Sequence, residues 1–388
     1  MRKNIKGIFA IVVMFMVVII AGCGNGESSS DGDTIKIGSM FELTGAAAAY
    51  GTSMNNALSM AVAEINEAGG INGQQVEIVE YDTKTDETEA TSITTRLGTR
   101  DNVTAIIGPA TTGSMQAAIP SANAAEVPIM SPTATDDGVL TAADGSVHPY
   151  AWRTSFTNSF QGSALAQFAN NELDATTAVI LSDNSSDYAI GLTQTFEEVF
   201  NGDIVASENF SEGETDFNAV LTNIRDLDFD VLYVPGYYEE AGPIIKQARE
   251  MGIDQPILGP DGMGNEVLRD LAGAENMNDV YYTSHFVVTS EDPAVQEFVT
   301  NYKEEFGVDA DMFTGLAYDS VYVIKEAIEN AGSADPAAVN EALTNITDFP
   351  GITGTFSFDE MHDPVKTVNI IEIQNNEETG VYEVDPNF

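Results

Sequence analysis

The 388-residue sequence predicts an α/β protein of two lobes, each a parallel sheet covered by helices on both faces. Two observations carry that expectation. Short β-rich runs alternate with segments whose apolar residues recur every three or four positions, the pattern of right-handed βαβ units. The units are also too many for one comfortable sheet, and the length suits two or three domains of ordinary size.

The elements follow in order. A strand is expected at 34–39 (Thr-Ile-Lys-Ile-Gly-Ser). Met54, Ala57, Leu58, Ala61, Val62, Ile65 and Ala68 then mark one face of a helix that Gly69-Gly70 ends. A strand at 76–81, a helix at 88–100, a strand at 103–107, a helix at 114–125 and a strand at 127–130 complete the first series. After Arg153 a second series begins: helix 158–173, strand 177–182, helix 190–200, strand 203–210 and helix 216–227. It continues with strand 230–234, helix 239–251, strand 256–259, helix 264–272 and strand 280–286. Helices at 293–306, 315–331 and 336–346 follow, then strands at 354–358, 365–373 and 381–385.

Charge narrows the function classes. There are 61 acidic and 15 basic residues, a net charge of −46. That excludes a nucleic-acid binder, whose affinity needs a basic surface. It also argues against charge-driven binding to anionic lipid. The excess is most simply a solvated surface suited to high salt or an alkaline medium. One cysteine precludes an intrachain disulfide or a Cys-based metal cluster. His148, His285 and His362 are far apart in sequence, outside any HxxxH or HxxEH spacing, so no metal site is expected. Gly-x-Ser-x-Gly is absent and no nucleophile–base pair is visible, so catalysis is not expected either.

The N-terminus has a basic start (Arg2, Lys3, Lys6), an apolar run from Ile8 to Ala21, then Gly22-Cys23. This is the order of a secretory signal. The strongly apolar part is about 14 residues, short of the roughly 20 needed to span a bilayer. Ile20-Ala21-Gly22-Cys23 resembles a bacterial lipoprotein cleavage box, which makes Cys23 the expected lipidation site. Residues 24–33 (Gly-Asn-Gly-Glu-Ser-Ser-Ser-Asp-Gly-Asp) read as a flexible tether.

In doubly wound sheets, ligands bind beyond the carboxyl ends of strands where strand order reverses, so the turns after strands matter most. Gly108-Pro109-Ala110-Thr111-Thr112-Gly113-Ser114 opens one helix, and Ser131-Pro132-Thr133-Ala134-Thr135 follows the next strand. Neither is a nucleotide fingerprint. Both are short and rich in hydroxyls, suiting a small anion at a helix N-terminus; Thr112 or Ser114 capping its own helix is the alternative. Asp261, in Gly259-Pro260-Asp261-Gly262, is either a ligand cation's partner or a solvated turn residue. Tyr50, Tyr188, Tyr237 and Phe313 also lie at turns or element starts, where core packing is the alternative role.

A further set of short motifs runs Thr44-Gly45, Tyr50-Gly51, Glu64-Ile65-Asn66, Gly69-Gly70-Ile71-Asn72-Gly73, Tyr81-Asp82 and Ile107-Gly108-Pro109. Further on come Ser131-Pro132-Thr133-Ala134-Thr135, Gly259-Pro260-Asp261-Gly262 and Ala317-Tyr318-Asp319. In this order and spacing the chain resembles the type I periplasmic binding proteins of ABC importers, within them the branched-chain amino acid (Leu/Ile/Val)-binding family. The resemblance spans about residues 34–375. It implies two Rossmann-like lobes joined by a three-crossover hinge near 153–155, 283–286 and 353–355, with the ligand cleft between them. Residues 1–22 would then be the signal and 23–33 the anchored tether. Residues 34–153 with 285–353 would form the N-terminal lobe, and 154–284 with 354–388 the C-terminal lobe.

The resemblance also assigns roles. Thr112 and Thr135 would offer hydroxyls, and Thr133 and Ala134 backbone groups, to the ligand's carboxylate and ammonium. Asp261 would pair with the ammonium where branched-chain binders often carry Glu, one methylene longer. Tyr50, Tyr188, Tyr237 and Phe313 would be aromatic walls. The implied function is a monomeric, lipid-anchored solute-binding subunit taking an α-amino acid, foremost Leu, Ile or Val. It would deliver the ligand to an ABC permease served by separate ATPase subunits, with no cofactor and no catalysis. The alternatives are a ligand-sensing surface receptor, a binder of urea, amides or aromatic acids, and an exported amidase.

Overall fold

A computed structural model describes residues 34–384. The leader, Cys23, the tether and the last four residues lie outside the described residues. No helix among the described residues is long and apolar enough to cross a membrane.

The first series runs β1 (Ile35–Phe41), α1 (Ala48–Glu67), β2 (Val76–Asp82), α2 (Glu87–Arg96), β3 (Ala105–Ile107), α3 (Thr112–Ala125), β4 (Ile129–Ser131) and β5 (Ala151–Arg153). Its strands form one parallel sheet in the order β2-β1-β3-β4-β5. The apolar face of α1 (Met54, Leu58, Ala61, Ile65) packs with Ile35 and Ile37 on one side of the sheet. Met115, Ala118 and Ile119 of α3 pack with Ile106 and Ile129 on the other. Gly51 lets α1 press on the loop after β1, since a Cβ there would meet the Glu42 carbonyl oxygen at 2.1 Å.

The second series holds α4 (Asn158–Asn171), β6 (Thr177–Asp183), α5 (Asp187–Val199), β7 (Asp203–Phe210), α6 (Asn218–Ile224), β8 (Val231–Tyr233) and α7 (Tyr238–Glu250). Then come β9 (Ile257–Gly259), α8 (Glu266–Ala272) and β10 (Val280–Ser284). Strand β6 is buried on both faces: Val179 and Leu181 pack with Ile244 and Ile245, while Ala178 and Ile180 pack with Leu165, Leu192 and Phe196.

The chain then returns to the first lobe through α9 (Pro293–Phe306), α10 (Met312–Ala331) and α11 (Pro336–Leu343). There Tyr302 donates to the Ser53 carbonyl and Tyr318 to Glu64, both on α1. A hairpin of β11 (Phe349–Gly351) and β12 (Gly354–Phe356) precedes β13 (Val368–Gln374) and β14 (Glu377–Val384). These last two join the second sheet, whose order is β14-β13-β10-β9-β8-β6-β7.

The chain thus passes between the lobes three times, and side chains fasten the passages to each other. Lys366 Nζ donates to the Thr154 carbonyl at 3.0 Å and to Thr353 Oγ1 at 2.5 Å. Asp319 of α10 accepts from the backbone N–H groups of Ile352 and Thr353. Arg153 pairs with Asp363 at 2.5 Å.

Some elements differ from the expectation. The second sheet is not wholly parallel, because β13 pairs antiparallel with β10 and β14 antiparallel with β13. The turn between them is Asn375-Asn376, both at positive φ (52° and 65°), the geometry of a two-residue hairpin. Strand β14 begins at Glu377, four residues before the expected start. Strands β5 and β11 were not expected; at three residues each they are too short to show alternation. Helix α3 starts two residues early, at Thr112, and α6 is shorter than 216–227 at both ends. The strand expected from 127 begins at Ile129, since Pro128 has no N–H for the ladder.

Candidate functional site

Both sheets reverse their strand order beside the same space. In the first, β2 and β3 flank β1; in the second, β7 and β8 flank β6. Loops leaving the carboxyl ends at such a switch point diverge and leave a crevice. Tyr50 follows β1, Ala110 and Thr111 follow β3, and Thr133 follows β4. From the other lobe, Tyr188 follows β6, Tyr237 follows β8 and Asp261 follows β9.

These residues line a single small cavity, together with Gly262 and with Phe313 at the start of α10. Of the residues singled out from the sequence, Thr133, Asp261, Tyr50, Tyr188, Tyr237 and Phe313 line it directly. Thr112, Ala134 and Thr135 are buried alongside, next in sequence to its lining residues Thr111 and Thr133.

The aromatic side chains form a continuous wall. Tyr188 and Tyr237 stack at 4.8 Å with planes 8° apart. The Tyr50 ring lies 4.6 Å from Phe313 and 6.0 Å from Tyr237. Burial pushes the Tyr50 and Tyr188 phenols well above their ordinary value, so both stay neutral donors.

Asp261 is a buried carboxylate held from two sides. Oδ1 accepts from the Tyr188 hydroxyl at 2.6 Å, and Oδ2 faces His285 Nε2 at 3.1 Å. The Asp261 N–H donates to Gln161 Oε1, which also accepts from Thr283 Oγ1 at 2.7 Å. The aspartate is therefore a buried, hydrogen-bonded side chain rather than a solvated turn residue.

The hydroxyl-rich turns divide into occupied and available groups. The Ala110 and Thr111 N–H groups donate to the buried carboxylate of Glu42, at 2.9 and 3.3 Å. The Thr133 and Ala134 N–H groups donate to Ser131 Oγ, and Thr133 Oγ1 donates to the Ala110 carbonyl at 2.7 Å. In contrast, Thr112 Oγ1 and Thr135 Oγ1 are buried without a hydrogen-bond partner. Buried hydroxyls are seldom left unpaired, so these two are the unsatisfied groups of the turns, although neither lines the cavity itself. Thr112 does not cap α3 through its side chain.

Three buried polar side chains around the cavity were not anticipated. Glu42 lies on a loop with no motif of its own, and only the folded chain brings it to the turn after β3. Burial raises its pKa above the ordinary value, opposed by the N–H groups of Ala110 and Thr111. His285 and Gln161 reach Asp261 from 24 and 100 residues away. Outside the cavity, Glu87, Asp183, Asp187, Glu212, Glu239 and Glu240 surround a neighbouring opening beside Tyr50 and Tyr237. Burial, then Glu240 and Glu212, push Glu239 up to about 7.

The cavity sets the Asp261 carboxylate and the aromatic side chains against the turns carrying Thr111 and Thr133, whose sequence neighbours Thr112 and Thr135 hold unpaired hydroxyls. It suits a small molecule with a cationic end, an anionic end and an apolar body. No group of three or more His, Cys, Asp or Glu side chains among the described residues is placed to hold a metal ion.

A profile described as periplasmic binding protein matches residues 34–378, and the chain belongs to that family. Among characterised relatives, the leucine-, isoleucine-, valine-, threonine- and alanine-binding protein of Pseudomonas aeruginosa is 29% identical over 361 residues, covering 92% of this chain and 94% of that protein. The branched-chain amino acid transporter substrate-binding protein LivJ of Streptococcus pneumoniae, solved with isoleucine, superposes with a TM-score of 0.87 and 41% identity. It covers 90% of this chain and 99% of its own. The leucine-binding protein LivK of Thermotoga maritima gives a TM-score of 0.84 at 30% identity, covering 91% of this chain and 99% of its own.

Proposed function

We propose that this protein is the extracytoplasmic ligand-binding subunit of an ABC importer. It captures an α-amino acid with a branched aliphatic side chain and delivers it to a permease. It acts as a monomer tethered to the membrane through lipid on Cys23, and it catalyses no reaction. The observation that carries the ligand class is Asp261, a buried carboxylate facing the cavity from one lobe while Thr112 and Thr135 hold unpaired hydroxyls on the other.

A zwitterion loses its hydration when buried, so both charges need partners. Asp261 supplies one; the hydroxyls beside the N-terminus of α3 supply the other. Only a closed cleft brings the two together, so the ligand favours closure by touching both lobes. The acidic residues near the opening, with Asp261, disfavour simple anions such as benzoate. The isoleucine and leucine named for the pneumococcal and Thermotoga proteins support the branched aliphatic choice.

A thermal-shift screen of the purified protein against the twenty amino acids, urea, short amides and benzoate tests this. A ligand at 100 times its Kd stabilises by about 2.7 kcal/mol. Selective shifts with Leu, Ile or Val are expected. Shifts confined to urea, amides or benzoate would remove the zwitterion site from consideration.

A further inference from the structure

Asp261 draws its two side-chain donors from different parts of the chain. Tyr188 comes from α5 within the second lobe. His285 comes from the segment that leaves β10 for the first lobe. Its ring is buried and stacked on Phe156, with centroids 3.4 Å apart and planes 22° apart. Phe156 itself lies on another interlobe passage, between β5 and α4.

We infer that His285 is a positioning residue for ligand recognition, orienting the Asp261 carboxylate toward the ligand's ammonium group from the hinge. This rests on the amino-acid reading above. The carboxylate oxygen needs a donor, so the proton sits on Nε2. Nδ1 is buried with no partner, which suits a neutral ring. Burial holds the imidazole below its ordinary pKa, against the opposing pull of Asp261.

A neutral donor is the useful choice at this position. A lysine or arginine would fix the aspartate equally well but would cancel the charge that recognises an ammonium. Histidine fixes the geometry and leaves the charge uncompensated. Because the ring is held between two interlobe passages, the orientation of Asp261 is tied to the closed arrangement of the lobes.

The test measures calorimetric affinity for L-isoleucine, and unfolding free energy in urea, of wild type, His285→Ala, His285→Gln and His285→Phe. Loss of one hydrogen bond to a charged group predicts roughly a tenfold weaker affinity for isoleucine in His285→Ala. Glutamine, which restores a donor at the ε position, should recover most of the loss, and phenylalanine, which restores only the stacking, should recover stability but not affinity. Unchanged isoleucine affinity in His285→Ala, or affinity that recovers with phenylalanine as well as with glutamine, overturns the proposal while sparing the amino-acid reading. If His285→Ala does not fold, glutamine and phenylalanine variants that bind isoleucine alike overturn it. A wild type that ignores isoleucine and every other amino acid overturns both.

Discussion

The Tyr50 hydroxyl, carried by α1 of the first lobe, donates to the carbonyl oxygen of Gly262 in the second at 2.5 Å. The same phenol oxygen accepts from the Tyr238 N–H at 3.3 Å, and the Tyr238 hydroxyl returns to the Ala46 carbonyl at 2.9 Å. The lobes are thus latched by tyrosines at the edge of the cavity. Tyr50→Phe keeps the ring in its aromatic wall and removes the latch. One neutral hydrogen bond is worth about 1 kcal/mol, so affinity for the ligand should fall roughly fivefold. Small-angle scattering of the ligand-free variant should show a larger radius of gyration than wild type.

Asp261→Asn preserves shape and removes charge. If the carboxylate pairs with an ammonium, the loss is about 1.5–3 kcal/mol, roughly 10- to 150-fold in Kd. Calorimetry with branched-chain amino acids checks this. Unaltered affinity would show that the amine sits elsewhere.

Thr112→Val and Thr135→Val separate binding from folding. Neither hydroxyl has an intramolecular partner, so replacing it with a methyl of the same shape should leave stability unchanged or slightly higher in urea titrations. Ligand affinity should fall roughly fivefold for each. A drop in stability without a drop in affinity would reverse the assignment.

Burial pushes the Lys366 ammonium down to about 8 from an ordinary value of 10.5, with Asp319 opposing. Between those values the unfolded chain keeps a proton that the folded chain has released, so the stability contributed by this group rises with pH. Relative to Lys366→Met, the wild-type unfolding free energy should therefore increase from pH 8 to 10.5. Chemical denaturation of both proteins across that window measures it.

The alternation of strands and helices was legible because both faces of each sheet are buried and each helix has one apolar stripe. The turns carrying Thr112, Thr133 and Asp261 were legible because they follow strands, where doubly wound sheets hold their ligands. What escaped was long-range. The histidines were weighed as metal ligands and set aside for their separation in sequence, yet folding brings His285 onto Asp261. Glu42 was one acid among 61 until β1 and β3 paired and set it against Ala110 and Thr111. Strand β5 escaped because three residues show no alternation, and its Trp152 is tied to a partner far along the chain, Asn340 of α11.

Strand β13 sits between β10 and β14, yet the chain reaches it only after α9, α10 and α11 have been laid against the other lobe. Neither half is therefore a self-contained stretch of polypeptide. A chain emerging residue by residue cannot complete the second sheet until its last segment is available, and contacts this remote in sequence make folding slow. Truncation at the C-terminus would strip the second sheet of an edge and unmoor the passages that Lys366 fastens. The arrangement keeps the two halves from being made or lost independently.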